Sequence, residues 1–80
     1  MGDRVMIQDA LRRGETVELQ GIRLRMDDGP IRQGDLYVAQ RNGWAALLTA
    51  QRINEDGGYI LPTCEAYAFD IHECVKVCEV

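Results

Sequence analysis

Between residues 15 and 26, apolar and polar side chains alternate, which is the period of a β-strand with one buried face. The phase of this alternation reverses at Gln20-Gly21. A two-residue turn there predicts a hairpin that sets Glu18 across from Arg23 on the polar face. The other face would then collect every apolar residue of the segment: Val17, Leu19, Ile22, Leu24 and Met26. A bulge at Gly21 in one long strand is the alternative interpretation of the same reversal.

Asn42-Gly43 is the strongest short hairpin signal in the chain. It follows the strand-like run Leu36–Ala39, which is preceded by turn residues at positions 27–30 and 34–35. Pairing across the turn would set Tyr37 opposite Leu48. The alternative is a helix over residues 44–53, because alanine and leucine in that window favour helix.

A short helix is predicted near the start of the chain, between a cap at Asp3 and Gly14. Its apolar stripe comprises Met6, Ile7, Ala10 and Leu11. Its opposite, polar face comprises Gln8, Asp9, Arg12 and Arg13. Because about ten residues of helix are unstable alone in water, this helix is expected to pack on a sheet.

The second half of the chain predicts further short elements. The loop at residues 54–58 leads into the apolar run Tyr59–Leu61, which indicates a third hairpin. Asp70 and Glu73 stand at capping-box spacing and predict one turn of helix. Residues 74–80 are β-branched at alternate positions and predict a last strand. The expected fold is therefore α+β: a short N-terminal helix on a five- to six-stranded, mainly antiparallel, strongly twisted or barrel-like sheet.

The 80 residues fit a single domain spanning positions 1–80, with 46% hydrophobic and 28% charged residues, as in ordinary folded proteins. So small a core leaves little interior for a deep catalytic pocket, which favours a protein that is not an enzyme. No apolar run approaches the roughly 20 residues of a membrane span. An odd number of cysteines, three, is a poor disulfide framework and favours a reducing, cytoplasmic setting.

The net charge of −4 is unevenly distributed along the chain. Residues 1–25 carry five arginines against four acidic residues, whereas residues 26–80 carry four basic residues against nine acidic ones. Nucleic-acid binders usually show clustered positive charge, so direct nucleic-acid binding is disfavoured. A negative surface is instead attracted to basic grooves, which predicts a protein partner with a basic surface.

The candidate partner-binding residues come from two observations. Trp44 follows directly on the Asn42-Gly43 turn, opposite Arg41, and exposed tryptophan is common at interface hot spots. Alternatively, Trp44 folds back and stacks on Arg41. The last 26 residues hold six acidic residues against the single base Lys76. These six complete the predicted surface: Glu55, Asp56, Glu65, Asp70, Glu73 and Glu79.

Cysteine and histidine near the C-terminus form the main alternative, a zinc- or thiol-dependent sensor or catalytic site built from Cys64, His72, Cys74 and Cys78. Zinc prefers such ligands, but Cys74 and Cys78 on one strand would stand roughly 13 Å apart at about 3.3 Å per residue. His72 could lower the pKa of a nearby thiol, although no oxyanion hole or third group is evident. We therefore expect packing roles for the cysteines, with no metal and no cofactor.

In its small size, its acidity and its run of short strands, the chain resembles accessory proteins encoded by bacteriophages and mobile elements, including anti-CRISPR proteins. The segments GDLYVAQRNG (residues 34–43) and ILPTCEAYAFDIHECVKV (residues 60–77) share this general character and match no motif of such a family. The resemblance implies a stoichiometric inhibitor of a host defence or nucleic-acid-processing complex, whose acidic surface competes for a basic groove. It assigns no individual binding residue. A homodimer is a further expectation, because an unprotected last strand could pair edge to edge with its own copy.

Overall fold

The computed structural model describes residues 7–41, 43–62 and 68–80. Within them lie one α-helix, eight β-strands and one 3₁₀ turn. In chain order these are α1 (Ile7–Arg12), β1 (Val17–Leu19), β2 (Ile22–Met26), β3 (Leu36–Arg41), β4 (Trp44–Thr49), β5 (Arg52–Ile53), β6 (Tyr59–Leu61), β7 (Phe69–Asp70), the 3₁₀ turn Ile71–Glu73 and β8 (Cys74–Glu79). None of the helical segments in this part of the chain is long and apolar enough to cross a membrane.

The strands form two antiparallel sheets. A five-stranded sheet with the order β1-β2-β8-β3-β4 curls into a half-barrel around α1, and a three-stranded sheet has the order β5-β6-β7. The predicted α+β class, with a helix packed on a curled antiparallel sheet, is confirmed. The short strands of the second half make a separate sheet rather than extending the first.

Both hairpins that the turn residues predicted are present in the predicted register. β1 and β2 pair Glu18 with Arg23, and Gln20 and Gly21 in the turn have φ angles of 54° and 80°. Two successive positive φ angles identify a turn whose twist matches that of the flanking strands. A bulge in one long strand is therefore excluded.

The β3–β4 hairpin settles the alternative between strand and helix for residues 44–49. Tyr37 pairs with Leu48 and Arg41 with Trp44, so the segment is a strand. Asn42 lies outside the described residues, but Gly43 has a φ of 87°, as the turn requires. The predicted third hairpin, between β5 and β6, is also present.

We expected the last strand to lie at an edge of the sheet, but it lies in the interior. β8 runs between β2 and β3, pairing Met26 with Val77 on one side and Tyr37 with Lys76 on the other. The prediction that two copies pair through the last strand is therefore wrong, because the backbone hydrogen-bonding groups of β8 are used within the sheet. The edges of this sheet are β1 and β4.

Alternate side chains of the central strands enter two separate cores. One core lies between the half-barrel and α1 and contains Leu11, Leu24, Val38, Val75 and Val77. The other lies between the two sheets and contains Ile31, Tyr37, Ala39, Ala50, Ile60, Phe69 and Cys74. This two-sided burial explains why β3 and β8 are apolar on both faces.

Gln8 corrects the prediction of a fully solvent-facing polar side on α1. Its side chain is buried, and its Nε2 donates hydrogen bonds to the carbonyls of Val38 at 2.8 Å and Glu73 at 2.7 Å. Its backbone N–H donates to Oε1 of Gln40 at 3.1 Å. Gln8 thus connects the helix to β3 and to the 3₁₀ turn, and periodicity alone could not reveal this.

We expect Gln8→Ala to lower the free energy of unfolding by about 1–3 kcal/mol, because it leaves carbonyls without their donor in a buried site. Denaturant unfolding would measure this. Asp9→Ala, on the exposed side of the same helix, is the control and should change stability by less than about 0.5 kcal/mol. Equal stability of the two variants would show that the Gln8 amide makes no net contribution.

Candidate functional site

Trp44 is an exposed aromatic side chain with a fixed position. It is 43% exposed at the start of β4. Its ring meets the buried ring of Phe69 edge-on, with centroids 6.0 Å apart and an interplanar angle of 77°. This geometry is favourable for aromatic pairs and orients the indole before any partner arrives.

Arg41 covers the same phenylalanine. Its guanidinium carbon lies 4.8 Å from the centroid of the Phe69 ring. The ring that Arg41 stacks on is thus Phe69, which corrects the alternative in which Trp44 stacks on Arg41. Trp44 and Arg41 are cross-strand neighbours that share Phe69 as a common support.

Glu73 fixes Arg41 from the other side. Two hydrogen bonds join them, from Nε to Oε2 at 3.1 Å and from Nη2 to Oε1 at 2.8 Å. This bidentate contact lowers the pKa of Glu73 and raises that of Arg41. We call Arg41, Trp44, Phe69 and Glu73 the anchor patch.

The predicted capping box ties the anchor patch to the 3₁₀ turn. Oδ1 of Asp70 accepts from the N–H of His72 at 2.9 Å, and Oε1 of Glu73 accepts from the N–H of Asp70 at 3.1 Å. Glu73 therefore serves both the turn and Arg41. Asp70 and Glu73 were predicted as partner-binding acids, and in the structure both make hydrogen bonds that stabilise the 3₁₀ turn.

The remaining predicted acids are placed differently. Glu55 and Asp56 are exposed in the β5–β6 loop, which lies beside the 3₁₀ turn because the N–H of Ile71 donates to the carbonyl of Gly58 at 2.9 Å. Glu79 is exposed at the far end of β8, five residues or roughly 16 Å along the strand from Cys74. Glu65 lies outside the described residues. The structure thus gathers Arg41, Trp44, Asp70 and Glu73, with the Glu55–Asp56 loop adjacent.

Sequence reasoning missed Phe69, the ring that organises the anchor patch. Its capping-box neighbours were recognisable from their spacing, but nothing in the sequence joins Phe69 to Arg41 and Trp44, which lie in a different hairpin. Only the packing of the second sheet on the first brings them together. The one local hint in the sequence that Phe69 matters is its position directly before Asp70, the first residue of the capping box.

Cys74 is placed for packing rather than for thiol chemistry. Cys74 is buried, and its thiol donates to the carbonyl of Asp70 at 3.5 Å. Burial raises the pKa of Cys74 to about 12, which is opposite to the activation that a nucleophilic thiol needs. His72 lies in the 3₁₀ turn rather than beside Cys74 on a strand, and Cys64 lies outside the described residues. The described part of the chain contains no group of three or more His, Cys, Asp or Glu residues arranged to hold a metal ion.

A cleft of about 320 Å³ opens where the chain after β2 turns away from β8. This volume is at the lower limit of small-molecule sites, which run from roughly 300 to 1,000 Å³. Its walls are Arg12, Met26, Asp27, Asp28, Gly29, Pro30, Ile31, Ile71, Cys74, Val75 and Lys76. The Lys76 ammonium in the wall is already engaged by Asp35 at 3.4 Å and Asp27 at 3.8 Å. Lys76 is thus paired with Asp27 inside the wall and with Asp35 outside it.

Comparison of the chain with protein-family models, with curated proteins and with solved structures finds no significant match.

The hydroxyl of Tyr37 is the one buried side-chain polar atom in the described residues without a hydrogen-bond partner. Tyr37 is fully buried between the sheets, and burial raises its pKa to about 12. Leaving a buried hydroxyl unpaired costs about 1–3 kcal/mol. We expect Tyr37→Phe to equal or exceed the wild type in free energy of unfolding, as chemical denaturation would measure. A loss above about 1 kcal/mol would show that the hydroxyl is paired.

Cys74 should make the fold sensitive to alkali. Below its ordinary pKa of 9.0 the thiol is neutral in both states. As pH rises further, the unfolded chain loses this proton while the folded chain keeps it, so stability falls until the folded pKa of about 12 is reached. The slope is at most about 1.4 kcal/mol per pH unit.

Unfolding curves between pH 8 and pH 11 would test this expectation. Cys74→Ala should reduce the loss of stability, most clearly below pH 10, because above that pH the raised pKa of Tyr37 adds a loss of its own. Cys78→Ala, which removes a half-buried thiol from the same strand, should retain the loss. An unchanged slope in Cys74→Ala would contradict the assignment. Because both cysteines are assigned packing roles, neither variant should lose partner binding while it remains folded.

Proposed function

We propose that this chain is a non-catalytic protein-binding module that binds its partner through the anchor patch. The observation that carries the proposal is the exposed ring of Trp44, held edge-on against the buried ring of Phe69. Tryptophan, tyrosine and arginine are the residues most enriched at binding hot spots.

The anchor patch is ordered before binding, which favours affinity. Association ordinarily loses about 0.5–1.5 kcal/mol for each flexible side chain that it immobilises. Arg41 is already fixed by two hydrogen bonds to Glu73 and by the Phe69 ring, although its side chain remains 34% exposed. Its remaining N–H donors and the Trp44 ring are therefore presented together in one geometry.

Acidic residues beside the anchor patch support a partner with a basic surface. Glu55 and Asp56 are exposed in a loop that a backbone hydrogen bond ties to the 3₁₀ turn. The whole chain carries a charge of −4. Negative charge next to a rigid hot spot accelerates encounter with a positive surface, and salt weakens this effect over a Debye length of roughly 8–10 Å.

In its finer form, the proposal is a stoichiometric inhibitor that occupies a basic, nucleic-acid-binding groove of a host defence or nucleic-acid-processing complex. Its support is the acidity and small size of the chain and its resemblance to phage-encoded accessory proteins, including anti-CRISPR inhibitors. Action in the cytoplasm belongs to the same proposal. Direct nucleic-acid binding is not part of it, because the acidic loop would repel phosphate.

The anchor patch predicts that Trp44→Ala strongly weakens binding to the partner captured from the native source. We expect affinity to fall at least about 30-fold, as for a typical hot spot. Val80→Ala is the control, because Val80 is also an exposed apolar side chain, at 65%, but follows the far end of β8, away from the anchor patch. Equal losses, or no loss in a folded Trp44→Ala variant by surface plasmon resonance, would contradict the proposed site.

The acidic loop predicts an effect on association rate. The double variant Glu55→Lys with Asp56→Lys should lower the association rate constant and change the dissociation rate constant much less. Raising salt should remove the difference in association rate from wild type. Reversing Arg12 and Arg13 is the control and should matter less. For a second charge reversal, Glu79→Lys is preferred to Glu73→Lys. Glu73→Lys would also break the capping box and release Arg41, so its effect on binding could not be assigned to charge alone.

If binding is instead insensitive to salt and to the acidic reversals, but is lost on changing Arg12, Arg13, Arg23 or Arg25, the interface has the opposite polarity. Nucleic acid or an acidic protein would then be the partner.

A further inference from the structure

β4 is an unusual edge strand. Within the described part of the chain it borders only β3, and its six residues, Trp44–Thr49, include no charged side chain. Proteins commonly protect sheet edges with charge, proline or a short strand, because open backbone groups invite pairing. The opposite edge follows this rule, since β1 has three residues and carries the exposed Glu18. β4 is long, apolar and uncharged.

The register of the hairpin shows which groups of β4 face outward. A two-residue turn makes Arg41 and Trp44 a hydrogen-bonded pair, so hydrogen-bonded pairs recur at Ala46 and Leu48. The backbone N–H and C=O groups of the intervening residues point away from β3. These are Ala45, Leu47 and Thr49.

Gln20, in the turn between β1 and β2, shows that this edge accepts a carbonyl group from outside β4. Its side-chain Oε1 accepts a hydrogen bond from the N–H of Leu47 at 3.0 Å. The amide group therefore stands where the peptide group of a neighbouring strand would stand. Gln20 is also the one non-glycine residue in the described part with a positive φ, at 54°, where asparagine or glycine is favoured.

We propose that β4 is a self-association edge that pairs antiparallel with β4 of a second copy, and that the Gln20 side chain competes with this pairing. A two-fold axis near Leu47 would set each outward donor and acceptor of one strand against those of its copy: Ala45 against Thr49, and Leu47 against itself. Because the strand is uncharged, no like charges oppose each other across the seam despite the net charge of −4. This inference goes beyond the proposed function, since it concerns the chain alone.

Two kinds of variant move the proposed equilibrium in opposite directions. Gln20→Asn places a residue favoured at positive φ in the turn, but its amide is one methylene shorter and cannot reach Leu47, so dimerisation should tighten about fivefold. Thr49→Pro removes an outward N–H without touching the β3 ladder and should weaken dimerisation at least tenfold. Glu18→Pro, which removes an outward N–H from the opposite edge, is the matched control and should leave it unchanged.

Sedimentation equilibrium of the purified chain, without partner, from micromolar to millimolar concentration provides the test. Higher salt should strengthen dimerisation by screening the shared negative charge, whereas it should weaken binding to a basic partner. Because no partner is present, failure here leaves the anchor patch untouched. In parallel, amide hydrogen exchange of Ala45 and Thr49 in the wild type should slow as concentration rises, which keeps the test valid even if a proline variant does not fold.

A monomer at millimolar concentration in both wild type and Gln20→Asn would overturn the proposal. So would a dimer that Thr49→Pro leaves intact while Glu18→Pro disrupts it, or amide exchange at Ala45 and Thr49 that does not depend on concentration.

Discussion

The structure depends on one constraint, which is that β3 and β8 must bury side chains on both of their faces. Tyr37 and Cys74 enter the core between the sheets, while Val38, Val75 and Val77 enter the core beneath α1. Both cores are therefore anchored on the same pair of strands. This arrangement lets 80 residues hold two packed layers against a central sheet, where a chain of this length would ordinarily support one core.

The sequence predicted those parts of the fold that depend on neighbours in the chain. The turn residues at Gln20-Gly21 fixed a hairpin and its register, and the spacing of Asp70 and Glu73 fixed the capping box. The strand order was not predictable, because any strand with an apolar face could pair with any other. The central position of β8 and the burial of Gln8 arise from such distant contacts, and local periodicity does not encode them.

The candidate site shows the same division. Trp44 was recognisable as an exposed aromatic because it follows a hairpin turn, but its support by Phe69 and the bidentate contact between Arg41 and Glu73 join three separate segments. Glu73 contacts both the turn backbone and Arg41. Surface and fold are therefore energetically coupled at this carboxylate, and substitutions there will not act additively.

The central position of β8 also has a kinetic consequence. Its partners β2 and β3 lie far earlier in the chain, so the half-barrel closes only after long loops have been brought together. Domains dominated by such non-local pairings fold slowly, typically in milliseconds to seconds. Before β8 inserts, the β1–β2 and β3–β4 hairpins can form but have no strand between them. Until β8 inserts, the edges of β2 and β3 that it will occupy are unpaired, and open strand edges are where chains that are still folding can associate with one another.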